Sequence, residues 1–177
     1  MKKKIIAAFL TAAMTIGSLS GVTVFAADAS TDENVEMADA SDVDGTTITF
    51  WHSMGGVNGE AIDTLVKKFN DENEYGITVD AQYQGEYDDS LNKLKSAQIG
   101  NMGADLVQVY EIGTRFMIDS GWIVPMQQMI DADNYDVSEI EPNLAAYYTI
   151  DNELYSMPFN SSTPIMYYNK DMFDKAG

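Results

Sequence analysis

Four short stretches of this chain carry side chains that a bound molecule could use. In "QVYEIGT", Glu111 stands just past an apolar run. A carboxylate there can accept two hydrogen bonds from the vicinal hydroxyls of a polyol, or pair with a cationic head group. It can equally be a solvated loop acid, or an acid at the start of a helix over "GTRFM". In "PFNSSTPIMYYNK", Ser161 and Ser162 lie between Pro158 and Pro164. The prolines stiffen the backbone, so hydroxyls and N–H groups can be held ready for an anion or a hydroxyl without fresh ordering. The plainer reading is an ordinary Asn/Ser turn. Tyr87 in "GEYDDS" falls at the start of an expected helix, where a phenol can cover a ligand and donate a hydrogen bond, or simply pack half-buried. Trp51 could form a floor for a sugar or glycerol backbone, whereas His52, the chain's one histidine, reads as a structural donor before it reads as a catalyst.

These residues do not assemble into a known catalytic set. There is no cysteine, His52 has no Gly-x-Ser-x-Gly partner, and no histidine pair offers a zinc site. No glycine loop ends in Lys-Ser/Thr, so neither a metal nor a cofactor is expected. Acid pairs are plentiful, and a carbohydrate-active hydrolase working through two carboxylates is the alternative of a different class. A surface adhesin would show repeats or an edge-rich β pattern, and neither is visible.

The elements that must position these side chains are legible from periodicity. "TTITFW" predicts a strand from Thr47 to Trp51. "NGEAIDTLVKKFNDEN" spaces Ile62, Leu65, Val66 and Phe69 as a helix, with Asn58 as its cap. "YGITVDAQY" predicts a strand, and "EYDDSLNKLKSAQIG" a helix with Leu91, Leu94 and Ala97 on one face and Gly100 beyond its end. A third strand follows in "ADLVQVY" after the Asn101-Met102-Gly103 turn. Short helices are expected over "GTRFMIDSG" and "VPMQQMIDADN", strands over "ELYSMP" and "TPIMYY", and a helix start at the chain's end. Alternation of strand and helix implies an α/β fold with a mostly parallel, doubly wound sheet. Ligands of such sheets lie beyond the carboxyl ends of the strands, which selects residues 52–56, Glu111 and residues 160–163.

Composition restricts partners and location. The formal charge of the 177 residues is −18, which argues against nucleic acid and anionic membrane as partners, since both select basic surface. Lys2, Lys3 and Lys4 precede an apolar stretch that ends in Val24-Phe25-Ala26. That layout is a signal peptide over residues 1–26, and it implies export. Residues 27–45 are acidic and nearly free of large apolar side chains, so a disordered tether is expected there. The globular part runs from residue 46 to 177, and an ending one helix start past a strand suggests the N-terminal part of a longer protein.

Four segments, "FWHSM", "GEYDDSL", "VQVYEIGT" and "PFNSSTPIMYYNKDMFDKAG", together resemble the extracellular solute-binding proteins of ATP-driven (ABC) importers. "YYNKD" is shared across that family's sugar binders, while the first, third and fourth segments in combination resemble its glycerol-phosphate branch. The resemblance implies a periplasmic-binding-protein type II-like fold, two lobes closing like a hinge, with this chain supplying most of lobe one. It implies a small-molecule ligand, namely sn-glycerol-3-phosphate, a glycerophosphodiester such as glycerophosphocholine, or a sugar. A monomer that delivers solute to membrane permease subunits follows from the same likeness. It assigns direct ligand contacts to Glu111 and Ser162, favours a ligand role for Tyr87, and places a phosphate-pairing arginine in the second lobe; Trp51 and Ser161 join the candidate contacts on the residue reading alone. One departure is the missing lipid-modified cysteine, which fits a periplasmic or extracellular protein without a lipid anchor.

Overall fold

The structure is a computed structural model that describes residues 42–100 and 102–177. The expected signal peptide, residues 27–41 of the expected tether, and Asn101 of the expected turn lie outside the described residues.

The first strand, β1 (Thr47–His52), is the central one. Its alternating side chains bury Phe50 and His52 on one face, as a pleated strand requires. Both edges of β1 are paired in parallel, giving the order β2-β1-β3. Against β2 (Thr78–Tyr83) the register runs from Thr47↔Thr78 to His52↔Tyr83, and against β3 (Leu106–Val107) Phe50 faces Leu106. Helices α1 (Gly56–Glu72) and α2 (Tyr87–Gln98) make the two crossovers. The expected α/β fold with a parallel sheet is therefore present.

Several boundaries differ from the sequence reading, each for a local reason. Within residues 42–45, expected as the end of a disordered tether, Val43 is buried while Asp42, Asp44 and Gly45 are exposed. Val43 is 4% exposed, and the Gly45 N–H donates to the Gly76 carbonyl at 3.1 Å. One apolar side chain and one turn hydrogen bond suffice to tie the segment to the loop before β2.

Helix α1 begins three residues before the expected start, with Gly55 rather than Asn58 at its cap. The Gly55-Gly56 pair allows this, because Gly56 has φ of +55° and turns the chain directly off the strand. At its other end Asn73 binds both ways: its side chain accepts from the Tyr75 and Ile77 N–H groups and donates to the Phe69 and Ile77 carbonyls. Of the apolar stripe on α1 only Ile62 is fully buried, while Leu65 and Phe69 are exposed. Helix α2 meets its expectation more fully, with Leu94 at 1% exposure and Leu91 and Ala97 half-buried.

Strand β3 is shorter than "ADLVQVY" predicts. The Asp105 carboxylate accepts the Thr49 backbone N–H at 2.8 Å, so a side chain occupies a donor of β1 that a longer strand would pair with a carbonyl. After β3, a 3-10 turn (Glu111–Gly113) leads into α3 (Thr114–Ser120), which ends at Gly121 with φ of +66°.

A second small core follows. Met129 and Ile130 of α4 (Met126–Asp133) are buried, as is Leu154 of the hairpin β4 (Thr149–Ile150) and β5 (Glu153–Leu154). Asp151 and Asn152 both have positive φ, the conformation of a tight two-residue hairpin turn. Helix α5 (Pro142–Tyr147) has no counterpart in the sequence reading. Its signature is nonetheless present: Glu141 accepts from the Asn143 and Leu144 N–H groups, and Pro142 fills the first helical position.

Two strand expectations need correction. In "ELYSMP" only Glu153 and Leu154 pair. "TPIMYY" forms no strand: residues 163–168 are all exposed, and no described strand lies beside them to complete a ladder, so β propensity alone leaves them extended. The chain then enters α6 (Lys170–Ala176), capped by the Asn169 side chain on the Met172 N–H.

Candidate functional site

The parallel order places the carboxyl ends of β1 and β3 side by side, and the polar side chains beyond them meet. The Ser53 N–H, one residue past β1, donates to Gln108 Oε1 at 2.9 Å. Gln108, one residue past β3 and 8% exposed, donates through Nε2 to Asn160 Oδ1 at 2.7 Å. Asn160 in turn donates through Nδ2 to the Tyr87 hydroxyl at 3.2 Å. Four segments far apart in sequence are thus joined by three consecutive hydrogen bonds at the sheet's carboxyl edge, where open α/β sheets take their ligands.

The Tyr87 ring is held from a second side. It stacks on Tyr110 with ring centres 5.4 Å apart and planes 4° from parallel. Tyr110 is fixed by its own hydroxyl, which donates to the Asp88 carboxylate next to Tyr87. That bond, followed by burial and the charges of Asp88 and Glu111, raises the Tyr110 phenol above its ordinary range. Burial first and then the charge of Glu111 raise Tyr148 in the same direction. Glu111 therefore projects its negative field onto a group of tyrosines. Its side chain is exposed at the start of the 3-10 turn.

Each residue singled out in the sequence can now be placed. Tyr87 is in the network, and Glu111 borders it through Tyr110. Ser161 and Ser162 are exposed on the segment directly after Asn160. Trp51 is half-buried, and strand alternation sets it on the face opposite Phe50 and His52. Its indole N–H donates to Gln82 Oε1 on β2 at 3.1 Å. Arg115, the one arginine, forms a two-point pair with Asp119 on its own helix, at 2.6 Å and 3.0 Å. Gln108 went unrecognised in the sequence, although a polar residue inside the apolar run "LVQVY" was the available signal.

His52 has the structural role expected of it. It is 3% exposed, lies between the rings of Phe50 and Tyr83 at 5.5 and 6.0 Å, and accepts the Met54 N–H on Nδ1. Burial lowers its pKa below 6.5, with the charge of Asp63 opposing in part. The unfolded chain therefore binds a proton at higher pH than the folded one does. Stability contributed by neutral His52 is complete above about pH 6.5 and is lost as pH falls from there through the folded pKa. His52→Gln is expected to flatten the dependence of the urea midpoint on pH between about 7 and 5; an unchanged slope would show that other groups carry it.

Comparison with known proteins gives the family of the chain. The family model described as bacterial extracellular solute-binding protein matches residues 64–177. The chain is 45% identical over 138 residues to the sn-glycerol-3-phosphate-binding periplasmic protein UgpB of Salmonella typhimurium (strain LT2), an overlap of 75% of this chain and 31% of that protein. It is 42% identical over 147 residues to the protein of the same name from Escherichia coli O6:H1, covering 80% of this chain and 32% of the relative. For Escherichia coli strain K12 the identity is 42% over 138 residues, covering 75% and 31%. The chain spans about a third of the length of these curated relatives.

Proposed function

The chain belongs to the bacterial extracellular solute-binding proteins, and from that membership we propose that the protein captures sn-glycerol-3-phosphate or a glycerophosphodiester for an ABC importer. The carrying observation is the joined edge Ser53–Gln108–Asn160–Tyr87, which gathers polar groups where solute would lie. The names of the relatives, all sn-glycerol-3-phosphate-binding periplasmic proteins, support the choice of solute. In this reading Glu111 accepts hydrogen bonds from the glycerol hydroxyls. Ser162, with Ser161 beside it, donates to the phosphate or an adjacent oxygen, Tyr87 covers the site, and Trp51 supports the carbon backbone.

Glu111 and the phosphate of the solute are both negative, so they must occupy opposite ends of the ligand. The hydroxyl end suits the carboxylate. The phosphate end needs donors, which residues 161–163 supply as hydroxyls and backbone N–H groups. Arg115 pairs with Asp119 on its own helix, and the resemblance to the glycerol-phosphate branch puts the phosphate-pairing arginine in the second lobe. Export with cleavage after Ala26, retention without a lipid anchor, a monomeric state and delivery to membrane permease subunits complete the proposal.

Calorimetric titration against sn-glycerol-3-phosphate, glycerophosphocholine and a neutral sugar tests it. Saturable binding of one of the two glycerol phosphates, with the ligand recovered chemically unchanged after long incubation, is the expected result. Binding of the sugar alone would move the solute class, and recovery of a cleaved ligand would bring the two-carboxylate hydrolase forward.

A further inference from the structure

The three consecutive hydrogen bonds at the edge of the sheet have a direction. A backbone N–H can only donate, so the atom of Gln108 that meets the Ser53 N–H must be its carbonyl oxygen. The amide nitrogen of Gln108 then faces Asn160, which must present its own carbonyl. The Asn160 NH2 is left to face the Tyr87 hydroxyl, and Tyr87 accepts. Each amide orientation follows from the one before it, beginning from a donor that cannot reverse. The order ends with one O–H hydrogen on Tyr87 that no bond in the network consumes.

We propose that Gln108 and Asn160 are positioning residues that fix Tyr87 as a hydrogen-bond donor towards solute. An end-of-network donor selects an oxygen that accepts, such as a phosphate, phosphodiester or ether oxygen, and disfavours a group that must itself donate. Stacking on Tyr110 fixes the plane of the phenol, and the amide relay fixes the polarity of its hydroxyl. The burial of Gln108 protects the relay's orientation, because no amide rotation there is possible without leaving the Ser53 N–H unpaired. This inference rests on the proposed contact between Tyr87 and solute.

The test reverses the relay. In Gln108→Glu the new carboxylate still accepts from Ser53 but cannot donate. Asn160 must turn its NH2 towards it and its carbonyl towards Tyr87, and the phenol then donates inward. Affinity for sn-glycerol-3-phosphate is measured by calorimetry in the wild type, Gln108→Glu, Tyr87→Phe and the double variant. Each single change is expected to weaken binding roughly tenfold, the usual effect of one hydrogen bond to a charged oxygen. Most of the effect of Gln108→Glu should vanish in the Tyr87→Phe background; equal losses in both backgrounds would overturn the proposal.

A readout without ligand accompanies it: hydrogen exchange of the Asn160 side-chain amide, followed by NMR, should accelerate in Tyr87→Phe. Unchanged exchange would show that no relay exists. Accelerated exchange in a protein that binds none of the solutes would keep the relay and sink the glycerol-phosphate reading instead.

Discussion

Glu111→Ala is expected to weaken sn-glycerol-3-phosphate binding roughly tenfold to a hundredfold while leaving the melting temperature of the free protein unchanged. The two halves of this expectation have separate grounds. A carboxylate that accepts from ligand hydroxyls in a closed, water-poor site contributes about 1.5–3 kcal/mol per charged hydrogen bond, and each 1.4 kcal/mol is about tenfold in affinity. In the free protein the side chain is exposed and sits on a 3-10 turn capped by the backbone of Tyr110, so little folding energy depends on it. Calorimetry and thermal unfolding of the same preparation separate the cases. Unchanged affinity would make Glu111 a solvated loop acid. A sharp fall in melting temperature with unchanged affinity would make it a structural acid for the turn into α3.

Leu94→Ala is expected to cause a large loss of stability. Leu94 is 1% exposed on the inner face of α2, and truncating a fully buried leucine removes its transfer energy and leaves a cavity, costing about 2–5 kcal/mol. The urea midpoint should fall by that energy divided by the slope, with the slope itself preserved. Leu65→Ala provides the contrast, because Leu65 is 61% exposed and surface changes of this kind stay within about 0.5 kcal/mol. If the two variants were equally stable, Leu94 would not be the core side chain that its burial indicates. Because α2 carries Tyr87 at its first turn, Leu94→Ala should also weaken solute binding at temperatures where the fold is partly lost.

The alternation of strand and helix through β1, α1, β2 and α2 was legible because long, periodic segments advertise their buried faces: Phe50, Ile62 and Leu94 all occupy the inward positions that spacing assigns them. The rest depended on partners that local sequence does not show. "TPIMYY" carries Thr, Ile and two Tyr, residue types a strand prefers, yet pairing decides, and none of the described strands pairs with it. Strand β3 begins late because Asp105 uses its side chain on Thr49, an event between residues 56 positions apart. Helix α5 was overlooked despite a readable cap at Glu141-Pro142, since its six residues are too few to show a period.

In the candidate site, Glu111 and the place of residues 160–163 were accessible through the rule that ligands lie beyond strand ends, and Tyr87 through its position at the start of a helix. Gln108 was not, because a glutamine within an apolar run looks like a lapse in the pattern until Ser53 and Asn160 are seen on either side of it.

The central position of β1 also governs when this chain can fold. Its two ladder partners lie far downstream, with Phe50 facing Ala81 on one edge and Leu106 on the other, and a parallel strand cannot be completed by a local turn. At a synthesis rate of about 5–20 residues per second, several seconds separate the appearance of β1 from that of β3. Long-range pairings of this kind are also slow to form once available. In the proposed export this delay would be useful: the sheet would stay unmade while the chain is still extended enough to be threaded across a membrane, its central strand closing only after both edges have arrived.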